Sequence, residues 1–430
     1  MQNNNLETKK SSYLYQLTII GILFFVFGFV TWLNGTLIPF LKIACNLETD
    51  VQALFVTFAF YMAYFFLAIP SSIILKSTGY KNGMALGLLV MAVGSIIFIP
   101  AANTRMFGLF LTGLFIQGMG LSLLQTASNP YISIIGPIES AAQRISIMGI
   151  CNKIAGALSP LVLGAIVLSN ATEVQEKLKV VTSGAERDQL LDSLASRVIT
   201  PYIIITVILL GLAFMIKRSS LPEIEEGEDV IDSKGGSGKT SIFQFPHMWL
   251  GALCIFMYVG VEVMAGDVIG TYGKELGMSL DTTKYFTSFT LVSMLVGYVI
   301  GILAIPKYIS QQNSLKYAAI LGIVLSLGAY FTTGYTAVTC IALLGLANAP
   351  MWPAIFPLGI NGLGRFTKTA SALLVMGIAG GALLPLLYAY LKDHLQVANN
   401  LAFMVAMVPC YIYILYYSIW GYRVGKTGVR

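Results

Sequence analysis

The sequence predicts an all-α membrane protein, with twelve transmembrane helices arranged as two pseudo-symmetric six-helix bundles. Three observations lead there. Of 430 residues, 56% are hydrophobic and only 11% charged, against roughly 25% charge in soluble domains. Twelve apolar segments each approach the ~20 residues that a helix needs to cross the hydrocarbon of a bilayer. Short stretches also recur six segments apart. Helices are required because backbone polar groups in lipid must bond within their own segment, and the short alternating strands of a barrel are not seen.

The segments run approximately 14–41, 51–75, 83–102, 106–135, 145–168, 198–216, 247–273, 285–306, 315–334, 337–361, 369–391 and 399–422. The first is too long for a signal-peptide core and lacks a small-residue cleavage site, so it is expected to stay as a helix. It carries Thr31, Trp32 and Asn34. Between the second and third lies a basic turn, Lys76-Ser77-Thr78-Gly79-Tyr80-Lys81. The fourth holds Gln117, Gln125 and Asn129, the last two four apart and so on one helix face. The fifth holds Asn152 and Lys153; the seventh, Glu262 and Asp267; the tenth, Asn348 and Trp352. Trp249 and Trp420 fall at helix ends, where indole rings anchor in the headgroup region.

The sixth segment ends a first unit at residue 216, and residues 217–246 read as a solvated linker before a second unit, 247–430. The linker contains the acids Glu223, Glu225, Glu226, Glu228, Asp229 and Asp232. Its Gly235-Gly236-Ser237-Gly238-Lys239-Thr240 imitates the end of a phosphate-binding loop. Ser233 stands where that motif needs glycine, and no strand leads into it.

Lysine and arginine set the orientation. With both termini on one side, sixteen basic residues lie on that side and nine on the other, so both termini are expected in the cytoplasm. The formal charge of +6 reflects this bias and implies no nucleic-acid partner. The five cysteines are far apart, and neither a disulfide framework nor a metal site is expected. His247 and His394, the only histidines, fall near helix ends, and no constellation of nucleophile, base and oxyanion donors is visible. The protein is therefore not expected to be an enzyme or to hold a cofactor, beyond a transported Na+ or H+.

The internal repeat is short but ordered. Ala155-Gly156-Ala157-Leu158-Ser159-Pro160-Leu161 of the fifth segment matches Gly380-Gly381-Ala382-Leu383-Leu384-Pro385-Leu386 of the eleventh. Ser128-Asn129-Pro130-Tyr131 matches Asn348-Ala349-Pro350-Met351 more weakly, and the first and seventh align through Gly28 and Gly260, setting Gly35 opposite Asp267. Two such bundles related by an axis along the membrane normal are the architecture of the major facilitators, which bind substrate near the midplane.

Leu33-Asn34-Gly35-Thr36-Leu37-Ile38-Pro39, Gln125-Thr126-Ala127-Ser128-Asn129-Pro130-Tyr131, Phe256-Met257-Tyr258-Val259-Gly260-Val261-Glu262 and Pro353-Ala354-Ile355-Phe356-Pro357-Leu358-Gly359-Ile360 together resemble one branch of that superfamily, the fucose permease and glucose/galactose transporter family. The resemblance covers nearly the whole chain. It implies import of a monosaccharide, a hexose such as glucose or galactose, or alternatively fucose, mannose or N-acetylglucosamine, by symport with sodium or protons. It also implies a carboxylate at position 35 and another at 125 in fucose permease, where this chain has Gly35 and Gln125. Gln125 and Glu262 are similar to the glucose/galactose members, which are sodium-linked as a group. Lys153 stands where members often have a small polar residue, and an ammonium there occupies the space of a cation.

Asn34, Gln125, Asn129, Asn152 and Asn348, with Trp32 and Trp352 as stacking faces, are accordingly the expected sugar-binding residues; each amide both donates and accepts, as a hydroxyl does. Helix-to-helix bridging is the alternative role for each. Glu262, Asp267 and Lys153 are the expected coupling residues, since ionisable groups at membrane depth mark ion pathways. Glu262 and Asp267 lie about 140° apart on an ideal helix, so both reach one cavity only if Gly266 loosens the turn; a seventh helix broken near Gly260 and Gly266 would supply a carboxylate and freed carbonyl oxygens to the cation. An efflux antiporter and a non-transporting nutrient sensor are the competing readings. The expected partners are the sugar, the cation and the lipid bilayer of a bacterial inner membrane, with the monomer as the working unit.

Overall fold

The computed structural model describes residues 2–134, 141–181, 183–221, 241–305, 307–363 and 366–425; within its helices the side chains of 2–13, 76, 129–130, 133–134, 141–146, 367–368 and 371 lie outside that description. Among the described residues, twelve helices are long and apolar enough to cross a membrane. In chain order they are α1 (Leu14–Ala44), α2 (Asp50–Leu75), α3 (Ser77–Thr104), α4 (Phe107–Ser128), α5 (Ile147–Val167), α6 (Ile199–Arg218), α7 (Pro246–Gly266), α8 (Leu280–Ala304), α9 (Gln311–Phe331), α10 (Gly334–Ile360), α11 (Ala372–Asp393) and α12 (Asn399–Ile419). An even number of crossings brings both chain ends to one side. Short helices Ala171–Val180 and Gly184–Ser196 precede α6 on the other side.

These helices follow the apolar segments closely, and among their starts that of α3 departs most, at Ser77 instead of 83. The reason is local. Gly79 has φ 75°, a left-handed conformation that only glycine adopts freely, so one residue turns the chain and Lys81 is already helical. The Lys81 ammonium donates to the carbonyl of Ser219 at 2.7 Å, tying this turn to the end of α6. Of the expected linker 217–246, residues 222–240 lie outside the described residues.

Large apolar side chains such as Phe66, Val207, Phe214, Leu303 and Phe331 are exposed on the outer surface. On a soluble protein such a belt would be an aggregation hazard; on twelve membrane-length helices it is the lipid-facing surface. Inside, α1 packs on α5, α3 on α4 and α6, α7 on α11, and α8 and α9 on α10. The two halves meet along α2 with α11 and α5 with α8.

The repeat read from the sequence reappears as equivalent close approaches. Gly28 of α1 sits against the backbone of Asn152 in α5, and a Cβ there would overlap the Asn152 carbonyl. Its counterpart Gly260 sits on α11, where a Cβ would come 3.3 Å from the Gly380 carbonyl and 2.9 Å from Leu384. Membrane helices gain stability from such close backbone contact because lipid offers little hydrophobic drive for association. Replacing Gly28 by valine should therefore destabilise the protein by about 1–3 kcal/mol or more, as overpacking does. A lowered thermal midpoint and loss of a single size-exclusion peak are the expected readouts; wild-type behaviour would show that α1 and α5 have room to separate.

Candidate functional site

Two of the helices that carry the ionisable residues are broken at mid-membrane. In α1 the regular helix stops at Thr31 and resumes at Asn34. The Thr31 hydroxyl donates to the Phe27 carbonyl at 2.9 Å, a back-bond that bends helices. Pro39 lacks the amide that would pair with the Gly35 carbonyl. In α7 the first piece stops at Gly266 and a second runs Ile269–Glu275. The helix is unbroken through Gly260, so only the Gly266 half of the expected break is present.

The carbonyls released at this break are not bare. The Thr290 hydroxyl donates to Ala265 O and the Thr287 hydroxyl to Gly266 O, both from α8, at 2.7 and 2.8 Å. Unpaired carbonyls in hydrocarbon are costly, and hydroxyls of a neighbouring helix are the usual remedy. Each of these oxygens thus already accepts one hydrogen bond and keeps a second lone pair.

Around the two breaks four of the expected residues come together. Lys153 of α5 pairs with Glu262 of α7 at 2.9 Å, with side chains 9% and 11% exposed. The same ammonium lies 4.5 Å from the centre of the Trp32 ring, a cation–π contact that strengthens on desolvation. Trp32 is wedged between Gly156 of α5 and Gly266 of α7; a Cβ on either glycine would run into the ring. Asp267 is 1% exposed. It accepts a long 3.4 Å hydrogen bond from the Tyr61 phenol of α2, and its second oxygen has no hydrogen bond within the protein. The Gly35 amide also faces it. Among the described residues no cationic side chain is within salt-bridge distance of Asp267.

The expected sugar-binding residues are more scattered. Gln125 donates to the Tyr64 phenol at 2.8 Å, joining α4 to α2. Asn152 reaches the Phe24 carbonyl at 3.5 Å, bridging α5 to α1. Asn34 is fully buried and neither of its amide atoms has a partner in the protein. Asn348 accepts from the Tyr411 phenol at 2.8 Å while its nitrogen stays unpaired. Trp352 stacks on Phe356, with centroids 5.6 Å apart, and is tilted toward Tyr258 at 6.4 Å. The side chain of Asn129 lies outside the described residues.

Sequence reasoning missed the tyrosines. Tyr61, Tyr258, Tyr298 and Tyr411, from α2, α7, α8 and α12, all lie within electrostatic reach of Glu262. Each is buried, but among 22 tyrosines in the chain no spacing singles these out.

At the mouth opposite the chain ends, a second ionic cluster joins the halves. Asp50 of α2 pairs with Lys42 at the end of α1 and with Lys392 of α11. Lys392 also reaches Glu275 at 3.0 Å, and the Val51 amide donates to Asp393 at 3.0 Å. Lys284 of α8 caps the Leu168 carbonyl after α5 at 3.1 Å.

The model of the Major Facilitator Superfamily matches residues 20–385. The chain belongs to this superfamily. It is 34% identical over 426 residues to a glucose/galactose transporter of Brucella abortus, covering 97% of this chain and 98% of that one. It is 30% identical over 388 residues to an L-fucose-proton symporter of Escherichia coli, covering 89% and 88%. A crystal structure of the transporter FucP in the outward conformation superposes with a TM-score of 0.73 at 27% identity, covering 95% of this chain and 99% of that one.

A Cβ on Gly35 would run into the Thr287 hydroxyl that caps α7, and Asp267 of the other half faces the Gly35 amide.

Lys153→Met should leave Glu262 buried and uncompensated, at a cost of about 3–5 kcal/mol. Adding Glu262→Gln should recover most of the loss in thermal midpoint. Equal midpoints for wild type and Lys153→Met would mean that the pair contributes nothing to the fold.

Proposed function

We propose that the protein imports a monosaccharide, a hexose of the glucose or galactose type, by symport with Na+ or H+ across a bacterial inner membrane, with both termini cytoplasmic. The observation that carries this reading is the asymmetry of charge at the inter-half site. Lys153 is already neutralised by Glu262, which leaves Asp267 buried without an ionic partner among the described residues. A bare carboxylate at this depth costs about 2.5–3.5 kcal/mol even on the mildest scales. A proton or a sodium ion on Asp267 removes that cost, so the halves re-orient readily only when the cation is aboard. Full-length similarity to a glucose/galactose transporter and to a fucose-proton symporter supports the substrate class and the coupling.

Sugar recognition falls to the buried amides. Asn34 and the nitrogen of Asn348 carry unused hydrogen-bonding capacity within the protein. Gln125 offers its carbonyl while its nitrogen is held by Tyr64. Trp352, backed by Phe356 and only partly buried, supplies an apolar face for a sugar ring. One charge moved through 100 mV yields about 2.3 kcal/mol, enough for roughly fifty-fold sugar accumulation before any ion gradient is counted.

Proteoliposomes tested with a panel of radiolabelled sugars, under sodium and proton gradients imposed separately, check this reading. Wild type should accumulate at least one hexose under one of the two gradients; outward movement of sugar-free solutes or no uptake at all would favour efflux or a sensor. Asp267→Asn should abolish uphill accumulation while sugar exchange continues, and accumulation at the wild-type level would remove Asp267 from the coupling step. Gln125→Ala should weaken sugar binding about fivefold, the worth of one hydrogen bond, in a protein that still purifies as folded; unchanged affinity would assign Gln125 to bracing α4 on α2.

A further inference from the structure

On the face opposite the chain ends, a cavity of about 410 Å³ lies among the end of α1, the helices Ala171–Val180 and Gly184–Ser196, and the second piece of α7. Its polar lining is Lys42, Asn46, Gln175, Lys179, Arg187 and Lys274. Four of these six are cations, and among the described residues no carboxylate lines the cavity.

The compensation of these charges is uneven. Lys42 is held by Asp50. Arg187 is fixed by neutral acceptors alone: one guanidinium nitrogen donates to the Leu178 carbonyl at 3.1 Å, another to the Asn46 side chain at 2.8 Å. Lys179 and Lys274 make no salt bridge among the described residues. Burial, and then the Lys42 ammonium, push Lys274 below the usual lysine range, with Lys179 adding to the shift and Asp50 and Glu275 opposing it. The cavity therefore concentrates positive charge on a guanidinium oriented by its neighbours and on two unpaired ammonium groups.

We propose that this cavity binds a phosphate-type oxyanion. Arginine locked in a fixed orientation matches the oxygens of a phosphate, and lysines add point charges around it. The volume exceeds what inorganic phosphate fills, so a phosphate ester, either a free metabolite or the headgroup of an anionic lipid, fits the same chemistry. Lys274 belongs to the second half and the other three cations to the first, so a bound anion ties the halves together beside the Asp50 network. The site shares no residue with the sugar and coupling groups and stands apart from the reading given for them.

The test uses the purified full-length protein in neutral detergent, heated in sodium phosphate or in sodium chloride of equal ionic strength. A ligand that binds only the folded state raises the thermal midpoint. Phosphate should raise that of wild type above the chloride control, and Arg187→Gln and Lys274→Gln should each weaken the apparent phosphate affinity roughly tenfold, as loss of a charged hydrogen bond does. Reconstitution in phosphatidylglycerol against phosphatidylcholine vesicles separates the sources. A wild-type midpoint raised by phosphatidylglycerol, and not in Lys274→Gln, assigns the lipid headgroup; a rise only with phosphate added to phosphatidylcholine vesicles assigns a free phosphate. A wild type that does not distinguish phosphate from chloride, or variants that respond as wild type does, would overturn the proposal. If one variant does not fold, Lys179→Gln takes its place.

Discussion

The structure depends on neutralising charge in a medium that tolerates almost none. Lys153 and Glu262 come from different halves of the molecule, and neither is stable at its depth without the other. Their pairing draws α5 and α7 together, and the Trp32 ring, seated under the ammonium, fills the space between the small residues Gly156 and Gly266. The same contact that neutralises the charges therefore adds a link across the halves beside the packing of α2 on α11 and α5 on α8. It also divides labour between the two carboxylates of α7. Glu262 is committed to an internal cation, whereas Asp267 has only a phenol and a backbone amide for company.

Helix breaks make this arrangement possible. A continuous α7 would hold Glu262 and Asp267 on divergent faces. Ending the helix at Gly266 lets Asp267 turn toward Gly35 and Tyr61 in the opposite half. The backbone cost of that break is met by Thr287 and Thr290 of α8. A similar device serves α10, where the Gln311 amide donates to the carbonyls of Pro353 and Ala354, one turn before Pro357. At these places the freed carbonyls are met by donors from neighbouring helices.

The ionic cluster at the far mouth complements the central one. Asp50, Lys42, Lys392 and Glu275 join the ends of α1, α2, α7 and α11, so the halves are held both at mid-membrane and at one end. Opening that mouth requires these pairs to separate, and they differ in burial: the Asp50 and Lys392 side chains are 5% and 11% exposed, as buried as Lys153 and Glu262, whereas Glu275 is 39% exposed. Separating Asp50 from Lys392 must therefore be compensated just as for the central pair, and the Glu275 contact is the more readily exchanged one.

The order and extent of the helices were legible in the sequence because lipid imposes a single rule, about twenty apolar residues per crossing, which acts locally and leaves a composition signal. The repeat was legible for a related reason: Gly28 and Gly260 mark close helix contacts, backbone on backbone at Gly28 and against Leu384 and the Gly380 carbonyl at Gly260. The ionisable residues Lys153, Glu262 and Asp267 stood out for their cost. What they touch did not, since pairing depends on where separate helices meet. Only the tertiary structure decided that Lys153 takes Glu262 and leaves Asp267 alone, that α7 breaks at Gly266 but not at Gly260, and that Gln125 and Asn348 are met by the phenols of Tyr64 and Tyr411. Burial follows from chain-local hydrophobicity; partnership follows from the packing of helices far apart in sequence.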